Sequence, residues 1–437
     1  MILILGAGES GVGAALLAKK FSIPVFVSDC NSIRPSFLKE LIDNEIDFEE
    51  GSHSLAFDIS PDFVVKSPGI PDQSEIVIHF KDMGTSLISE IEFAYTYCKA
   101  KIIAITGSNG KTTTTNLIYH LLHESKKNVV KAGNVGFSFS RAVAEKDWEY
   151  IVLELSSFQL DGIENFKSHI AVLLNITPDH LDRYHQRFDL YVNSKFRITL
   201  NQSKDDYLIY YGKDTAINDY LSSHSLNSKL IALIPELDEN DIIRLNGEKL
   251  ADLSTSHLKG RHNAINAACA IQAVKLLGLS NENIQEAINN FINDPHRLES
   301  VLTIDGVEFI NDSKATNVDS VFWALDAMKK KVVWIAGGQD KGNDYTVLKP
   351  LIEKKVKALI CLGVDNVKLI NAYQGIIPVI KDTHDIHDAV NIAYESASSG
   401  DVVLLSPACA SFDLFKNYED RGLQFKKEVN VLSLNRI

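Results

Sequence analysis

The sequence predicts an α/β fold with mostly parallel sheets. Short apolar runs alternate with helical stretches along almost the whole chain. Many of these runs are continuously apolar, as expected for strands that helices cover on both faces, and such a series is typical of parallel α/β sheets. The runs that we interpret as strands are Ile2–Leu5, Val25–Ser28, Phe63–Val65, Ile102–Thr106, Ile151–Leu155, Ala171–Asn175, Val332–Ala336, Ala358–Leu362 and Val402–Leu405.

Three domains are predicted from the points where the strand–helix series restarts. The series restarts at Lys101 and again after the turn at Asp294 and Pro295, and a chain of 437 residues is long enough for roughly two to four domains. Lys204–Ser256 has the pattern of a strand-rich insertion, and Arg261–Leu277 has the pattern of a helix. The predicted domains span residues 1–97, 98–293 and 294–437.

The composition argues against several classes of protein. Lys and Arg number 44 and Asp and Glu 57, and this net charge of −13 argues against a nucleic-acid partner. The five cysteines are scattered and odd in number, which indicates reduced thiols rather than disulfides or a zinc site. The sequence shows neither the features of a signal peptide nor an apolar run of membrane-spanning length. We therefore expect a cytoplasmic protein with no membrane partner.

A glycine-rich turn joins a predicted strand to a predicted helix that begins near Lys111. Gly107 and Gly110 let backbone N–H groups approach phosphate oxygens, and the helix N-terminus favours anions. Lys111 can reach the outer phosphates, and the hydroxyl of Thr112 can ligate Mg²⁺. Ile105 stands where the first glycine of a GxxxxGK[ST] motif would be. The turn predicts a site for a nucleoside triphosphate, and the alternative is a tight turn with an exposed lysine.

Two polar residues that follow neighbouring strands could complete this site. Glu154 lies late in an apolar strand, where a carboxylate is costly unless it is paired or bound to a cation. A Mg²⁺ held by Thr112 would supply that partner, although a structural salt bridge explains the position equally well. His180 follows the next strand, at the edge where the sites of α/β proteins gather, and could bind metal or substrate. The alternative for His180 is a solvated loop histidine.

The N-terminus carries a second glycine-rich turn. Gly6, Gly8 and Gly11 follow the first predicted strand, and Asp29 ends the second. This arrangement resembles a dinucleotide fingerprint and indicates a strand–turn–helix that can hold a pyrophosphate. A glycine turn needed only for packing is the alternative.

The last domain has four polar segments that each follow a strand. They should cluster at one edge of a sheet. Lys341 and Ser411 would suit a small carboxylate, and Asp312 would suit a ribose or a metal-bound water, although each of them could also be a loop or capping residue. The segments are residues 311–317, 337–341, 362–363 and 406–413.

Taken together, the motifs resemble those of one family, the bacterial muramyl peptide ligases. The resemblance covers nearly the whole chain in the expected order. Two segments, NDSKATN and SPACASFDLF, are similar to those of the members that add D-glutamate, and the N-terminal glycine turn fits the same members. The segments that carry the family resemblance are TGSNGKTT, LELSSFQL, NITPDHLDRY, GRHNAINAACA and PHRLE.

The resemblance implies an ATP-dependent amide ligase of peptidoglycan precursor synthesis. Its substrates would be UDP-N-acetylmuramoyl-L-alanine and D-glutamate, joined through an acyl phosphate. A Rossmann-like N-terminal domain would bind the UDP end, a central domain of the P-loop ATPase type would bind ATP, and a Rossmann-like C-terminal domain would bind the amino acid. The resemblance also implies two Mg²⁺ ions, a monomer and carbamylation of Lys195. Without the resemblance, Lys195 is predicted to be an ordinary lysine on a helix surface.

The resemblance also assigns roles to individual residues. Lys111, Glu154, His180 and Lys195 would be catalytic, and the metal ligands would be Thr112, Glu154, His180 and Lys195. The residues implied to bind ATP are Gly107, Ser108, Asn109, Gly110, Lys111, Thr112, Thr113, Asn263, Asn266, Arg297, Asp312 and Lys314. Those implied to contact the UDP-linked substrate are Ser10, Asp29, Ser67, Gly69, Asn134, Ser156 and His180, and those implied to bind D-glutamate are Thr316, Lys341, Ser411 and Phe412.

Three other functions are compatible with parts of the sequence. A ligase of the same family that uses L-alanine or acts on a folate would share the nucleotide motifs. A nicotinamide oxidoreductase built on Gly6–Gly11 would leave TGSNGKTT unexplained. A non-catalytic nucleotide-binding regulator would release no ADP when all substrates are present. Measuring ADP release with different amino acids, and cofactor absorbance, distinguishes the four.

Overall fold

The computed structural model describes residues 1–434, and the chain divides into two compact units. The first unit comprises Met1–Pro235 and Ile265–Ile288, and the second comprises Glu236–Ala264 and the chain from Asn289 onward. Both units consist of helices and mainly parallel sheets, which confirms the predicted fold class. The domain boundaries near residues 97 and 293 stay a prediction.

A five-stranded parallel sheet opens the first unit. Its elements are β1 (Ile2–Leu5), α1 (Glu9–Lys20), β2 (Val25–Asp29), α2 (Pro35–Asp43), β3 (Asp47–Glu50), β4 (Val64–Lys66), α3 (Glu75–Asp82), β5 (Leu87–Ser89) and α4 (Glu90–Tyr97). The strand order is β3-β2-β1-β4-β5. Ile2 and Ile4 pack into the core on one face of the sheet, and Leu3 and Leu5 pack into the core on the other. The continuous apolar run of β1 follows from this burial of both faces.

A six-stranded parallel sheet follows in the same unit. Its elements are β6 (Lys101–Thr106), α5 (Lys111–Glu124), β7 (Val129–Gly133), α6 (Phe139–Glu145), β8 (Tyr150–Glu154), α7 (Ser157–Asp161), β9 (Ile170–Leu173), α8 (Phe188–Phe196), β10 (Tyr207–Tyr211), α9 (Thr215–Ser223) and β11 (Lys229–Leu233). The strand order is β11-β10-β9-β6-β8-β7. Because β8 and β9 flank β6, the loops after these three strands meet at one edge of the sheet.

The second unit contains a small antiparallel sheet and a second six-stranded sheet. Its elements, with two helices that both units share, are β12 (Glu236–Leu237), β13 (Ile242–Leu245), β14 (Glu248–Asp252), α10 (Gly260–Leu276), α11 (Asn281–Asn290), β15 (Glu299–Ile304), β16 (Val307–Asn311), α12 (Val318–Ala327), β17 (Val332–Gly337), α13 (Lys349–Lys355), β18 (Val356–Leu362), α14 (Val367–Tyr373), β19 (Val379–Thr383), α15 (Ile386–Ser396), β20 (Val402–Ala408) and α16 (Tyr418–Leu434). The strands β12-β13-β14 form the small sheet, and the large sheet has the order β15-β16-β20-β17-β18-β19. Only the β15–β16 pair of the large sheet is antiparallel.

The predicted strands agree with the structure to within three residues at each end, and one of the differences is informative. All nine predicted runs overlap strands, but the run Ala171–Asn175 is too long because β9 ends at Leu173. Asn175 instead lies in the loop after β9, and its side-chain Oδ1 accepts a hydrogen bond from Asn109 N at 2.8 Å. The predicted strand-rich insertion, Lys204–Ser256, supplies β10 to β14, and the predicted helix at Arg261–Leu277 is α10. In the part of the chain that the structure describes, no helix is both long and apolar enough to cross a membrane.

Candidate active site

The turn between β6 and α5, which we call the phosphate loop (Gly107–Gly110), is held in one conformation by its neighbours. Gly110 has φ +86°, and a Cβ added there would lie 3.0 Å from Cγ of Asn266 on α10. Only glycine satisfies both the left-handed backbone and this close approach. The hydroxyl of Ser108 donates to the carbonyl oxygen of Thr177 at 2.8 Å. The loop after β9 and the helix α10 therefore brace the phosphate loop from two sides.

A lysine and a helix N-terminus face this loop. Nζ of Lys111 donates hydrogen bonds to the carbonyl oxygens of Gly107 at 2.8 Å and Ser108 at 2.9 Å. Thr112 and Thr113 are buried in the first turn of α5. A positive side chain combined with the N-terminus of a fourteen-residue helix makes this edge of the sheet favourable for phosphate.

Glu154 lies at the end of β8, beside the phosphate loop. Its side chain is buried, and Oε1 accepts a hydrogen bond from Nδ2 of Asn134 at 2.9 Å. Oε2 is buried and has no hydrogen-bond partner within residues 1–434. A buried carboxylate oxygen without a donor fits a bound cation. Within the same residues no three His, Cys, Asp or Glu side chains group as metal ligands, so a cation here would take ligands of other types as well.

Lys195 is buried, so the expectation that it lies on a helix surface is wrong. The residue is 2% exposed, and Nζ donates to the carbonyl oxygen of Gly107 at 2.9 Å and to Oγ1 of Thr106 at 3.2 Å. Burial and the nearby charge of Lys111 hold the pKa of this amine well below its ordinary value. The charges of Asp179 and Glu154 oppose that shift, which places both carboxylates around the amine. An amine of lowered pKa is more often neutral and can react with CO₂ to form a carbamate.

The sequence did carry a signal for this burial. Lys195 follows Tyr191 by four residues and Val192 by three on α8, and all three are buried. Lys195 therefore belongs to the inner face of the helix. The charge of its side chain favoured the wrong interpretation.

His180 lies on the loop after β9, as predicted. Its side chain is half exposed, and its ring packs edge-on against Phe158 with the centroids 5.1 Å apart. Its Nε2 is 3.6 Å from Oδ2 of Asp179. Since Phe158 follows Glu154 in the chain, this contact keeps the His180 loop next to the end of β8. Ser156 in the same region has a structural role, because it caps α7 in a reciprocal capping box with Gln159.

The turn after β1, which we call the β1 glycine loop (Gly6–Gly11), meets two of the predicted substrate residues. Oδ2 of Asp29 accepts a hydrogen bond from Ala7 N at 2.8 Å. Oγ of Ser67 is buried without a hydrogen-bond partner in the described chain, and it lies close to Gly6. Ser10 is half-buried on the loop, whereas Gly69 is exposed. The structure thus gathers the N-terminal candidates around this loop.

In the second unit, the four predicted polar segments meet at the carboxyl edge of the large sheet. Ala408 N donates to the carbonyl oxygen of Ala315 at 2.9 Å, and Gln339 N donates to that of Ala410 at 2.8 Å. These bonds join the loops after β16, β17 and β20. Among the predicted D-glutamate residues, Ser411 is buried, Thr316 is half-buried, and Lys341 and Phe412 are exposed.

The same edge carries a buried acid and an unpaired guanidinium nitrogen. Burial raises the pKa of Asp312 to about 7, although Oδ2 accepts a hydrogen bond from Ser406 Oγ at 2.9 Å. Nε of Arg297 is buried with no hydrogen-bond partner in the described chain. Nζ of Lys314 lies 5.1 Å from the ring centroid of Tyr418. On α10, Asn263 and Asn266 are both buried, and Asn263 donates to the carbonyl oxygen of Lys259 at 2.9 Å.

One residue that the sequence did not indicate organises this edge. Arg421 on α16 is 1% exposed, and burial lowers its pKa to about 10. Its guanidinium donates to the carbonyl oxygens of Ser313 at 2.9 Å, Cys409 at 3.3 Å and Gly337 at 3.5 Å. These carbonyls belong to the loops after β16, β20 and β17. An arginine in a charged helical segment, EDRG, gives no sequence signal of such a role.

Comparisons with known proteins agree with this arrangement. Two family models match: the Mur ligase middle domain over residues 105–274, and the Mur ligase, glutamate ligase domain over residues 296–409. The UDP-N-acetylmuramoylalanine–D-glutamate ligase of Christiangramia forsetii is 48% identical over 99% of both chains. The ligase of the same name from Porphyromonas gingivalis W83 is 49% identical over 98% of both. The MurF ligase of Thermotoga maritima, solved in complex with ADP, has the same fold with a TM-score of 0.62 at 16% identity, covering 93% of this chain and 95% of its own.

Proposed function

The chain belongs to the Mur ligase family, and on that premise we propose that it is the ATP-dependent ligase that joins D-glutamate to UDP-N-acetylmuramoyl-L-alanine in peptidoglycan precursor synthesis. The observation that carries the choice of amino acid is the 48% identity, over 99% of the chain, to a relative named for D-glutamate. The ligase works in the cytoplasm as a monomer. Residues 1–97 hold the UDP end of the substrate, residues 98–293 hold ATP, and residues 294–437 hold D-glutamate.

The reaction must first make the alanyl carboxylate electrophilic. A carboxylate oxygen attacks the γ-phosphorus of ATP, the bond to the β-phosphate oxygen breaks, and ADP leaves. The amine of D-glutamate then attacks the carbonyl carbon of the acyl phosphate. The resulting tetrahedral intermediate loses a proton from nitrogen and expels inorganic phosphate, which completes the amide. Because the first step joins two anions, positive charge at the reacting phosphate is the main requirement.

The phosphate loop and Lys111 meet that requirement. Nζ of Lys111 already lies within 2.9 Å of two loop carbonyl oxygens, so a small change of its side-chain torsions turns it toward a bound γ-phosphate. The backbone N–H groups at the N-terminus of α5 supply further positive potential. Asn263, Asn266, Arg297, Asp312 and Lys314 hold the remainder of the nucleotide.

The residues around Glu154 fit Mg²⁺. Thr112, Glu154, His180 and a carbamate on Lys195 would hold two ions, which when bound offset the negative charge of the phosphates. The buried Lys195 amine supports the carbamate, because an ammonium cannot ligate a cation whereas a carbamate presents two oxygens. The unpartnered Oε2 of Glu154 supports the metal assignment.

The other substrates have their own residues. Ser10, Asp29, Ser67 and Gly69 hold the UDP end, and Asn134, Ser156 and His180 face the muramyl end. Thr316, Lys341, Ser411 and Phe412 bind D-glutamate, with the Lys341 ammonium suited to one of its carboxylates.

An ADP-release assay tests the proposal. The complete mixture contains ATP, Mg²⁺, UDP-N-acetylmuramoyl-L-alanine and D-glutamate, and each component is then omitted in turn or D-glutamate is replaced by L-alanine. We expect release only with the complete mixture. Lys111→Ala should abolish it, whereas Lys127→Ala, three residues after the far end of the same helix, should not. Release that continues without D-glutamate would refute the assignment of the amino acid.

A further inference from the structure

Glu9, the first residue of α1 at the end of the β1 glycine loop, is bound to the helix α6 of the neighbouring sheet. Its Oε1 accepts hydrogen bonds from Ser138 N at 2.9 Å, Ser138 Oγ at 3.1 Å and Arg141 Nε at 2.8 Å. Its Oε2 accepts one from Arg141 Nη2 at 3.1 Å. One carboxylate thus takes four donors from the start of α6. The carboxylate is about one-third exposed, at 32%, and the Arg141 side chain is 18% exposed.

The helices that carry these groups are in direct contact. A Cβ added at Gly13 on α1 would overlap Oγ of Ser138 and lie 3.1 Å from Arg141 N, so the two helices approach as closely as a glycine permits. Nη1 of Arg141 also donates to Oε2 of Glu40 on α2 at 2.6 Å. Arg141 therefore joins α6 to two helices of the first sheet with charge-assisted bonds.

The segment that Glu9 holds continues into the candidate active site. The turn between β7 and α6, which we call the β7 loop (Asn134–Ser138), ends at the serine that Glu9 binds. It begins at Asn134, which donates to Oε1 of Glu154 at 2.9 Å and whose backbone N donates to the Glu154 carbonyl oxygen at 2.9 Å. A second carboxylate, Glu90 on α4, accepts a hydrogen bond from Ser140 N. Two acids of the first sheet thus fix the β7 loop and the start of α6.

We propose that Glu9 is a positioning residue that, through Ser138 and Arg141, sets the distance between the β1 glycine loop and the β7 loop. This rests on the proposed function, in which the first loop holds the UDP end of a substrate and the second faces its muramyl end. A single substrate that touches both loops binds best when their separation matches the span of its bound conformation. Glu9 therefore affects the binding free energy that a substrate gains by contacting both loops at once. Glu9 itself does not contact the substrate.

The experiment compares a ligand that touches one loop with a ligand that touches both. Calorimetric dissociation constants are measured for UDP alone and for UDP-N-acetylmuramoyl-L-alanine, on the full chain and on Glu9→Ala and Arg141→Met. We expect UDP to bind all three chains equally, within about twofold, whereas the complete substrate binds each variant roughly tenfold more weakly, since aligning two loops costs more once they move independently. The double variant should be no worse than either single one.

A control variant on the same pair of helices separates positioning from general loosening. Lys20→Met removes a hydrogen bond from Nζ to the Val143 carbonyl oxygen at 3.0 Å, at the other end of the α1–α6 contact, and should leave both affinities unchanged. Equal weakening of UDP and of the complete substrate by Glu9→Ala would show that Glu9 acts at the nucleotide site itself and would overturn the inference. Unchanged affinity for both ligands would overturn it as well. If the unaltered chain fails to bind UDP, the nucleotide assignment fails first, and that result is distinct from any effect of Glu9.

Discussion

The most stringent test of the phosphate loop is Gly110→Ala. Gly110 has φ +86°, and a left-handed alanine costs about 1–2 kcal/mol relative to glycine. The added Cβ would also lie 3.0 Å from Cγ of Asn266 and closer still to its Oδ1, and relieving such an overlap costs about 1–3 kcal/mol more. With about 2–4 °C of thermal midpoint lost per kcal/mol in a domain of this size, we expect a fall of roughly 10 °C.

A matched glycine isolates the contact with Asn266. Gly84 has a similar backbone, with φ +73°, but a Cβ there meets no atom within 4 Å. Gly84→Ala should therefore lose only the backbone part, a fall of roughly 4 °C. The double variant Gly110→Ala/Asn266→Ala should lose less than the sum of its single variants, because the overlap is gone. Midpoints for Gly110→Ala and Gly84→Ala that agree within error would refute the close packing of α10 on the loop. ATP affinity, measured by calorimetry, should fall for Gly110→Ala and not for Gly84→Ala.

Three further substitutions test buried charges. Burial raises the pKa of Asp312 from 3.8 to about 7, so between these pH values the folded chain keeps a proton that the unfolded chain releases, and stability falls as the pH rises. Asp312→Asn should therefore raise the thermal midpoint more at a pH of about 8 than at about 4. Equal changes of the midpoint at the two pH values would contradict the pKa shift. Arg421→Met leaves three carbonyl oxygens without their donor and should lower the free energy of unfolding by about 2 kcal/mol. A higher thermal midpoint for this variant would instead mean that burying the guanidinium costs more free energy than its hydrogen bonds contribute. Lys195→Met should reduce ADP release at least about a hundredfold. ADP release by the unaltered chain should fall in CO₂-free buffer and recover when bicarbonate is added. A rate of ADP release that does not change with bicarbonate would argue against the carbamate.

The strands and the loops after them could be predicted from the sequence because their physical causes are local. A strand buried on both faces must be apolar throughout, as β1 and β20 are, and a parallel sheet must present its polar loops at the carboxyl edge. The placement of Glu154 and His180 at the carboxyl edge of the sheet that carries the phosphate loop followed from these two rules. The end of β9 was placed too late because the apolar Leu174 extends the run, whereas the polar Asn175 already belongs to the loop and its side chain accepts a hydrogen bond from the phosphate loop.

The hydrogen-bond partners of the buried charged helix residues could not be predicted, because they depend on which distant segments pack against the helix. Lys195 and Arg421 belong to residue types that are usually exposed, yet they are 2% and 1% exposed. The acceptors of Lys195 lie 88 and 89 residues away in the sequence, and those of Arg421 lie up to 108 residues away. A pattern read over a window of ten or twenty residues contains neither set. The resemblance to a family supplied the role of Lys195, but not the reason for it.

Lys195, Arg421 and Glu9 share one arrangement, which explains how the loops that they bind keep a single conformation. A glycine loop gains access to phosphate by giving up side-chain packing, so its conformation must be held from outside. In this chain an ionisable residue of an adjoining helix does so for three loops. Lys195 binds the carbonyl oxygen of Gly107, Arg421 binds that of Gly337, and Glu9 binds the backbone N–H of Ser138. The bonds of Arg421 and Glu9 link a full charge to a backbone group in a partly or fully buried position, where such a bond is strong and where losing one partner is costly. The sequence motifs of the loops therefore determine which chemical groups the loops can bind, and the adjoining helices determine where the loops lie.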